Sequence, residues 1–164
     1  MLESSLEGAR PLGPKVEMQP PQKMEPQALA GYLEIMSKSV FQSGLSWKVV
    51  ESKWPGIREA LKGFDPGFLA ELSEPQLEEL LQDQRIIRSR RKLGAIVFNA
   101  DRMPELEQMH GSFRNYLRSH GSFEDTLKDI RKQFKYMGDA GTYHFLYVVG
   151  EEVPPYDEWC QAHG

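Results

Sequence analysis

Cysteine is almost missing from this 164-residue chain. A single thiol, Cys160, excludes an internal disulfide framework and any cysteine-built zinc site, and the four His are scattered without ligand spacing. No apolar run reaches the length of a membrane span, and the N-terminus has no hydrophobic signal region. The expectation is a cytoplasmic chain with no membrane partner, no metal and no other cofactor. Alternating strand patterns are absent too, which points to an all-α domain. Nor is there a strong basic excess: the net charge is −4, so bulk charge does not announce a nucleic-acid binder.

What is present is charge unevenly spread. Acid gathers at Glu71, Glu74, Glu78, Glu79 and Asp83, and base at Arg85, Arg88, Arg90, Arg91 and Lys92. A second basic group comprises Lys128, Arg131, Lys132 and Lys135. Screening limits each charge to roughly 10 Å at ordinary salt, so one basic face can bind DNA on an acidic protein. Solvated helix faces are the bland alternative.

Residues 1–26 are rich in Pro, Gly, Glu and Gln without periodicity, and read as a mobile arm ahead of a helical domain over 27–164. Apolar spacing predicts a helix to Gln42, stopped by Gly44, and another opening at Trp47 after a Ser46 cap. Pro55 is expected to end that helix or begin another. Asp65-Pro66 and Ser73 start two more. A longer helix follows Arg85 and ends near Pro104, and Gly111-Ser112 begins a short one.

The run from about 122 to 150 organises the rest. Ser122 caps a helix with Phe123, Leu127, Ile130 and Phe134 on one face. Gly138 and Gly141 are expected to break it, with Thr142 capping the next helix, which ends at Gly150. Unpaired amides at such a turn bind phosphate oxygens without reading sequence. A buried helical hairpin is the other reading.

Three ordered elements carry a resemblance: Gln42 to Trp47 (QSGLSW), Phe64 to Pro66 (FDP), and Ile86 to Ala100 (IIRSRRKLGAIVFNA). Together with the run FKYMGDAGTYHFLYVVG from Phe134, they resemble the constitutive bacterial 3-methyladenine DNA glycosylase (type I) family, over roughly residues 30–150. That likeness implies a helix-hairpin-helix DNA glycosylase fold, double-stranded DNA carrying a damaged base as partner, and monomeric action. Two departures stand out. The zinc-binding Cys and His of that family have no counterpart here, and its pocket Glu falls at Ser39. The C-terminal layout from Gly150 through Val153-Pro154 to Asp157 is similar to the wider superfamily, in which a Gly, a Pro-containing loop and a catalytic Asp follow the hairpin.

The resemblance implies roles for particular residues. Leu45, beside Gly44, is the candidate wedge that fills the gap left by an extruded nucleotide, or else a buried junction residue. Trp47 is the candidate aromatic wall of the base pocket, with Tyr32, Phe41, Ser39, Tyr143 and Tyr147 as partners; core packing is the alternative for each Tyr and Phe. Asp157 is the candidate catalytic carboxylate, or a cap of the last helix. Lys135, Gly138, Asp139, Gly141, Arg88, Arg91 and Lys92 are candidate phosphate contacts. The implied activity is hydrolysis of the N-glycosidic bond of an alkylated, 3-methyladenine-like purine. A non-catalytic relative that recognises damaged DNA, and a protein-interaction domain, are the competing readings.

Overall fold

In the computed structural model the described residues are Pro26 and 28–163. The expected N-terminal arm lies outside them, Pro26 apart. Among the described residues every regular element is helical. In chain order these are α1 (Leu29–Gln42), α2 (Trp47–Ala60), a 3-10 turn (Lys62–Phe64), α3 (Pro66–Ala70), α4 (Glu74–Leu81), α5 (Arg90–His110), α6 (Phe113–Leu117), α7 (Phe123–Gln133), α8 (Asp139–Val148) and α9 (Tyr156–His163). None is long and apolar enough to cross a membrane.

Side-chain caps explain five of these starts, and all but the one at Ser89 fall where the sequence predicts a helix to begin. Asp65, Ser73, Ser89, Ser112 and Ser122 each accept a hydrogen bond from a backbone amide of the first turn that follows. Such caps are typically worth about 1 kcal/mol each. Ser46 precedes α2 without making that bond.

Both prolines expected to stop a helix lie inside one: Pro55 in α2 and Pro104 in α5. An interior Pro removes one backbone bond and costs about 3 kcal/mol. Burial on both sides offsets it, since Trp54 and Ile57 flank Pro55, and Met103 and Leu106 flank Pro104, all in the core. α5 instead ends at Gly111, whose φ of 87° suits only glycine.

α5 is the axis of the domain. It packs against α1, α3, α4 and α6, while α8 packs against α1 and α7. Leu33, Met36 and Phe41 of α1 meet Leu93, Ile96 and Ala100 of α5 in one apolar core with Phe64, Leu69, Phe113 and Phe145.

Candidate DNA-binding and base-recognition site

Two exposed interruptions between helices carry the candidate residues, and α5 holds both. The first is Ser43–Ser46. Gly44 sits at φ 76°, where a side chain would strain the backbone. The chain then exposes Leu45, at 41 %, and Trp47, at 45 %, the first residue of α2. Large apolar side chains so exposed are suited to insertion or stacking. Behind them Lys92 of α5 is turned inward and only 9 % exposed. Its Nζ donates to the carbonyls of Phe41, at 3.0 Å, and Ser43. Burial lowers its pKa. Lys92 therefore caps the end of α1 and is not a surface phosphate contact; its charge serves carbonyls that the last helical turn leaves unpaired.

The second interruption is the hairpin turn between α7 and α8. It lies earlier than the sequence suggests. Phe134 is already extended, Tyr136 adopts a left-handed φ of 61°, and Gly138 is the N-cap of α8. Gly141 and Thr142 are consequently inside the helix. Thr142 cannot cap it: its amide donates to the Gly138 carbonyl at 2.9 Å. The turn is clamped by Asn99, buried on α5, whose amide engages both backbone groups of Lys135. Oδ1 accepts from the Lys135 N–H at 2.8 Å, and Nδ2 donates to its carbonyl at 3.2 Å. The Lys135 ammonium is exposed and lies 4.4 Å from the ring centre of Phe98.

At the start of α8 the glycine cap offers no side-chain acceptor, so the first amides have no side-chain cap. Asp139 stands in this first turn, and its carboxylate is bound by Arg131 at 2.8 Å across the turn. Gly141 gives its carbonyl to the Ser39 hydroxyl at 3.4 Å, which ties α8 to α1. Of the other basic candidates, Arg91 is exposed, while Arg88 donates through Nε to the Leu81 carbonyl at 3.1 Å and so helps close α4.

The aromatic partners proposed for Trp47 separate. Tyr32 is in the core, its ring centre 5.0 Å from Phe113, and Phe41 is fully buried edge-on to Trp54. Tyr143 packs 4.7 Å from Trp159 and 5.4 Å from Tyr156, and its hydroxyl donates to the Pro154 carbonyl at 2.5 Å. These three are core and docking residues, not walls of a pocket: ring area that wide is worth more buried than exposed. Tyr147 is half-buried against the core. Asp157 is exposed in the first turn of α9, a helix anchored through Tyr143.

Sequence reasoning left three titratable residues unused. Lys38 of α1 pairs with Glu51 of α2, and its ammonium also lies 5.6 Å from the centre of the Trp54 ring. His144 of α8 feels both partners: burial and Lys38 lower its pKa, and Glu51 opposes them. No spacing could have revealed a cluster drawn from three helices. Among the described residues no three His, Cys, Asp or Glu side chains come together as a group that could hold a metal ion.

The profile of the methyladenine glycosylase family matches residues 28–144. DNA-3-methyladenine glycosylase 1 of Escherichia coli is 30% identical over 130 residues, covering 66% of this chain and 70% of that protein. The DNA-3-methyladenine glycosylase of Haemophilus influenzae is 33% identical over the same shares. A crystal structure of a 3-methyladenine DNA glycosylase I superposes with a TM-score of 0.67 at 28% identity, over 77% of this chain and 81% of that one. The Staphylococcus aureus enzyme, solved to explain 3-methyladenine recognition, gives 0.68 at 23% identity over 79% and 80%.

Proposed function

This chain belongs to the methyladenine glycosylase family, and on that premise we propose that it excises alkylated, 3-methyladenine-like purines from double-stranded DNA through the face built by the Gly44 loop and the hairpin turn. It is a monofunctional glycosylase, a hydrolase of N-glycosyl bonds acting in base-excision repair. Extrusion of a nucleotide costs a few kcal/mol of stacking and pairing. Leu45 fills the vacated space, and the exposed indole of Trp47 stacks on the extruded base. The first amides of α8, with Lys135 and Arg91, hold the backbone on either side.

An N-alkylated purine nucleoside is cationic, so its base departs without a strong general acid. The developing charge on the sugar needs a fixed anion and an oriented water. Asp157 supplies that carboxylate from the start of α9. The observation that carries the reading is the pair of exposed interruptions held on one helix by Lys92 and Asn99.

The test is release of free bases from methylated duplex DNA, separated by chromatography. Release of 3-methyladenine by the wild type, sharply reduced in Trp47→Ala, is expected; no base released by the purified chain would sink the proposal. The second reading, recognition of damage without cutting, is favoured by the Ser39 hydroxyl being engaged with Gly141 and by the exposure of Asp157. Equal lesion binding by wild type and Asp157→Asn, with neither releasing base, would establish it.

A further inference from the structure

We propose that Phe98, an exposed aromatic of α5, is a positioning residue for duplex binding: its ring holds the Lys135 ammonium at the hairpin turn, ready for a DNA phosphate. The duplex as partner rests on the glycosylase reading above. Phe98 stands next to Asn99 on α5, and the two side chains hold the two ends of one lysine. Asn99 fixes the Lys135 backbone through both its N–H, at 2.8 Å, and its carbonyl, at 3.2 Å. Phe98 meets the ammonium, whose Nζ lies 4.4 Å from the ring centre. The ring is still 42 % exposed, so ring and charge stand together at the surface.

The face of a phenyl ring is negative and attracts a cation within about 6 Å of its centre. Fixing a free lysine side chain on a phosphate costs much of its rotamer freedom. A ring that already confines the ammonium removes part of that cost before DNA arrives. The ring occupies one side of the ammonium, and N–H bonds on the solvent side remain for a phosphate oxygen to accept. Among the described residues no carboxylate pairs with Lys135, whereas Arg131, across the same turn, is engaged with Asp139 at 2.8 Å. Lys135 therefore meets a phosphate with its charge uncancelled.

The surface of α5 continues the same path. Arg91, also exposed, precedes Phe98 by seven residues, with Gly94 between them on one helix face. A Cβ at Gly94 would meet nothing within 4 Å, so open space lies above this stretch. A DNA strand crossing α5 there meets a guanidinium, bare backbone and then the ring-held ammonium.

The experiment is a double-mutant cycle on the full-length protein, read as affinity for a fluorescently labelled undamaged duplex across a salt series. Phe98→Leu keeps apolar bulk and removes the ring. It is expected to weaken binding about two- to fivefold at low salt, the worth of one exposed cation–π contact. Lys135→Met is expected to weaken it further and to lower the slope of log affinity against log salt by about one. In the Lys135→Met background, Phe98→Leu is expected to change nothing more. Phe98→Trp, a stronger partner for a cation, is expected to bind at least as tightly as the wild type. Melting curves are recorded for every variant, so that the coupling and the Phe98→Trp result decide the matter even where Phe98→Leu is less stable. Equal losses from Phe98→Leu in both backgrounds overturn the inference, as does no loss in either. Release of 3-methyladenine by the wild type alongside such a result leaves the glycosylase reading intact. A wild type that neither binds duplex nor releases base removes both.

Discussion

The Gly44 loop and the hairpin turn solve one problem with opposite chemistry. Each is an exposed break between helices, each contains a left-handed residue, and each is held by one side chain of α5. The loop is held by a buried ammonium on two carbonyls, the turn by a neutral amide that both donates and accepts. A carbonyl pair at a helix end can be satisfied by donors alone, so Lys serves. A mid-turn peptide offers one N–H and one C=O, and only an Asn or Gln amide answers both. The price is that the charged clamp carries a desolvation penalty that the neutral one avoids.

Removing the clamps separates them most strongly. Lys92→Ala is expected to cost about 3 kcal/mol, from two orphaned carbonyls and the lost packing of its stem. Asn99→Ala is expected to cost about 2 kcal/mol. Thermal melts should register roughly 2–4 °C per kcal/mol at this chain length.

Alkaline titration sharpens the contrast. Because the folded pKa of Lys92 lies below its ordinary value of 10.5, the unfolded chain keeps this proton longer. Stability contributed by Lys92 therefore rises with pH between the folded pKa and 10.5. The gap between wild type and Lys92→Met should widen over that window in denaturant melts, while the gap to Asn99→Ala stays flat.

The two left-handed residues give the smallest effects. Gly44→Ala meets no atom within 4 Å, so its penalty is backbone strain alone, about 1 kcal/mol. Tyr136→Gly relieves the same strain at φ 61° but adds unfolded-state entropy, and is expected to shift stability by less than about 0.5 kcal/mol. A large loss there would show that the Tyr136 ring, and not its backbone, shapes the turn.

Much of the architecture was legible because local signals and burial agree. Ser73, Ser112 and Ser122 cap the helices they introduce. Pro55 and Pro104 misled because tertiary packing outweighs one lost backbone bond. The hairpin turn was displaced by several residues because its left-handed position is filled by Tyr136, a residue type that gives no turn signal. Leu45 and Trp47 were singled out through an ordered motif, and both side chains are exposed. The element from Ile86 to Ala100 contained Lys92 and Asn99, but sequence cannot tell a lysine facing phosphate from one facing carbonyls. Lys38, Glu51 and His144 were invisible for a different reason: their proximity exists only once α1, α2 and α8 are assembled.

Lys92 and Asn99 stand seven residues apart on one uninterrupted helix, which is two turns and about 10 Å. α5 consequently acts as a ruler, fixing the gap between the Gly44 loop and the hairpin turn in units of helical rise. One residue inserted between the two marks would swing the second by roughly 100° and detach the hairpin turn, though no residue of either break had been changed.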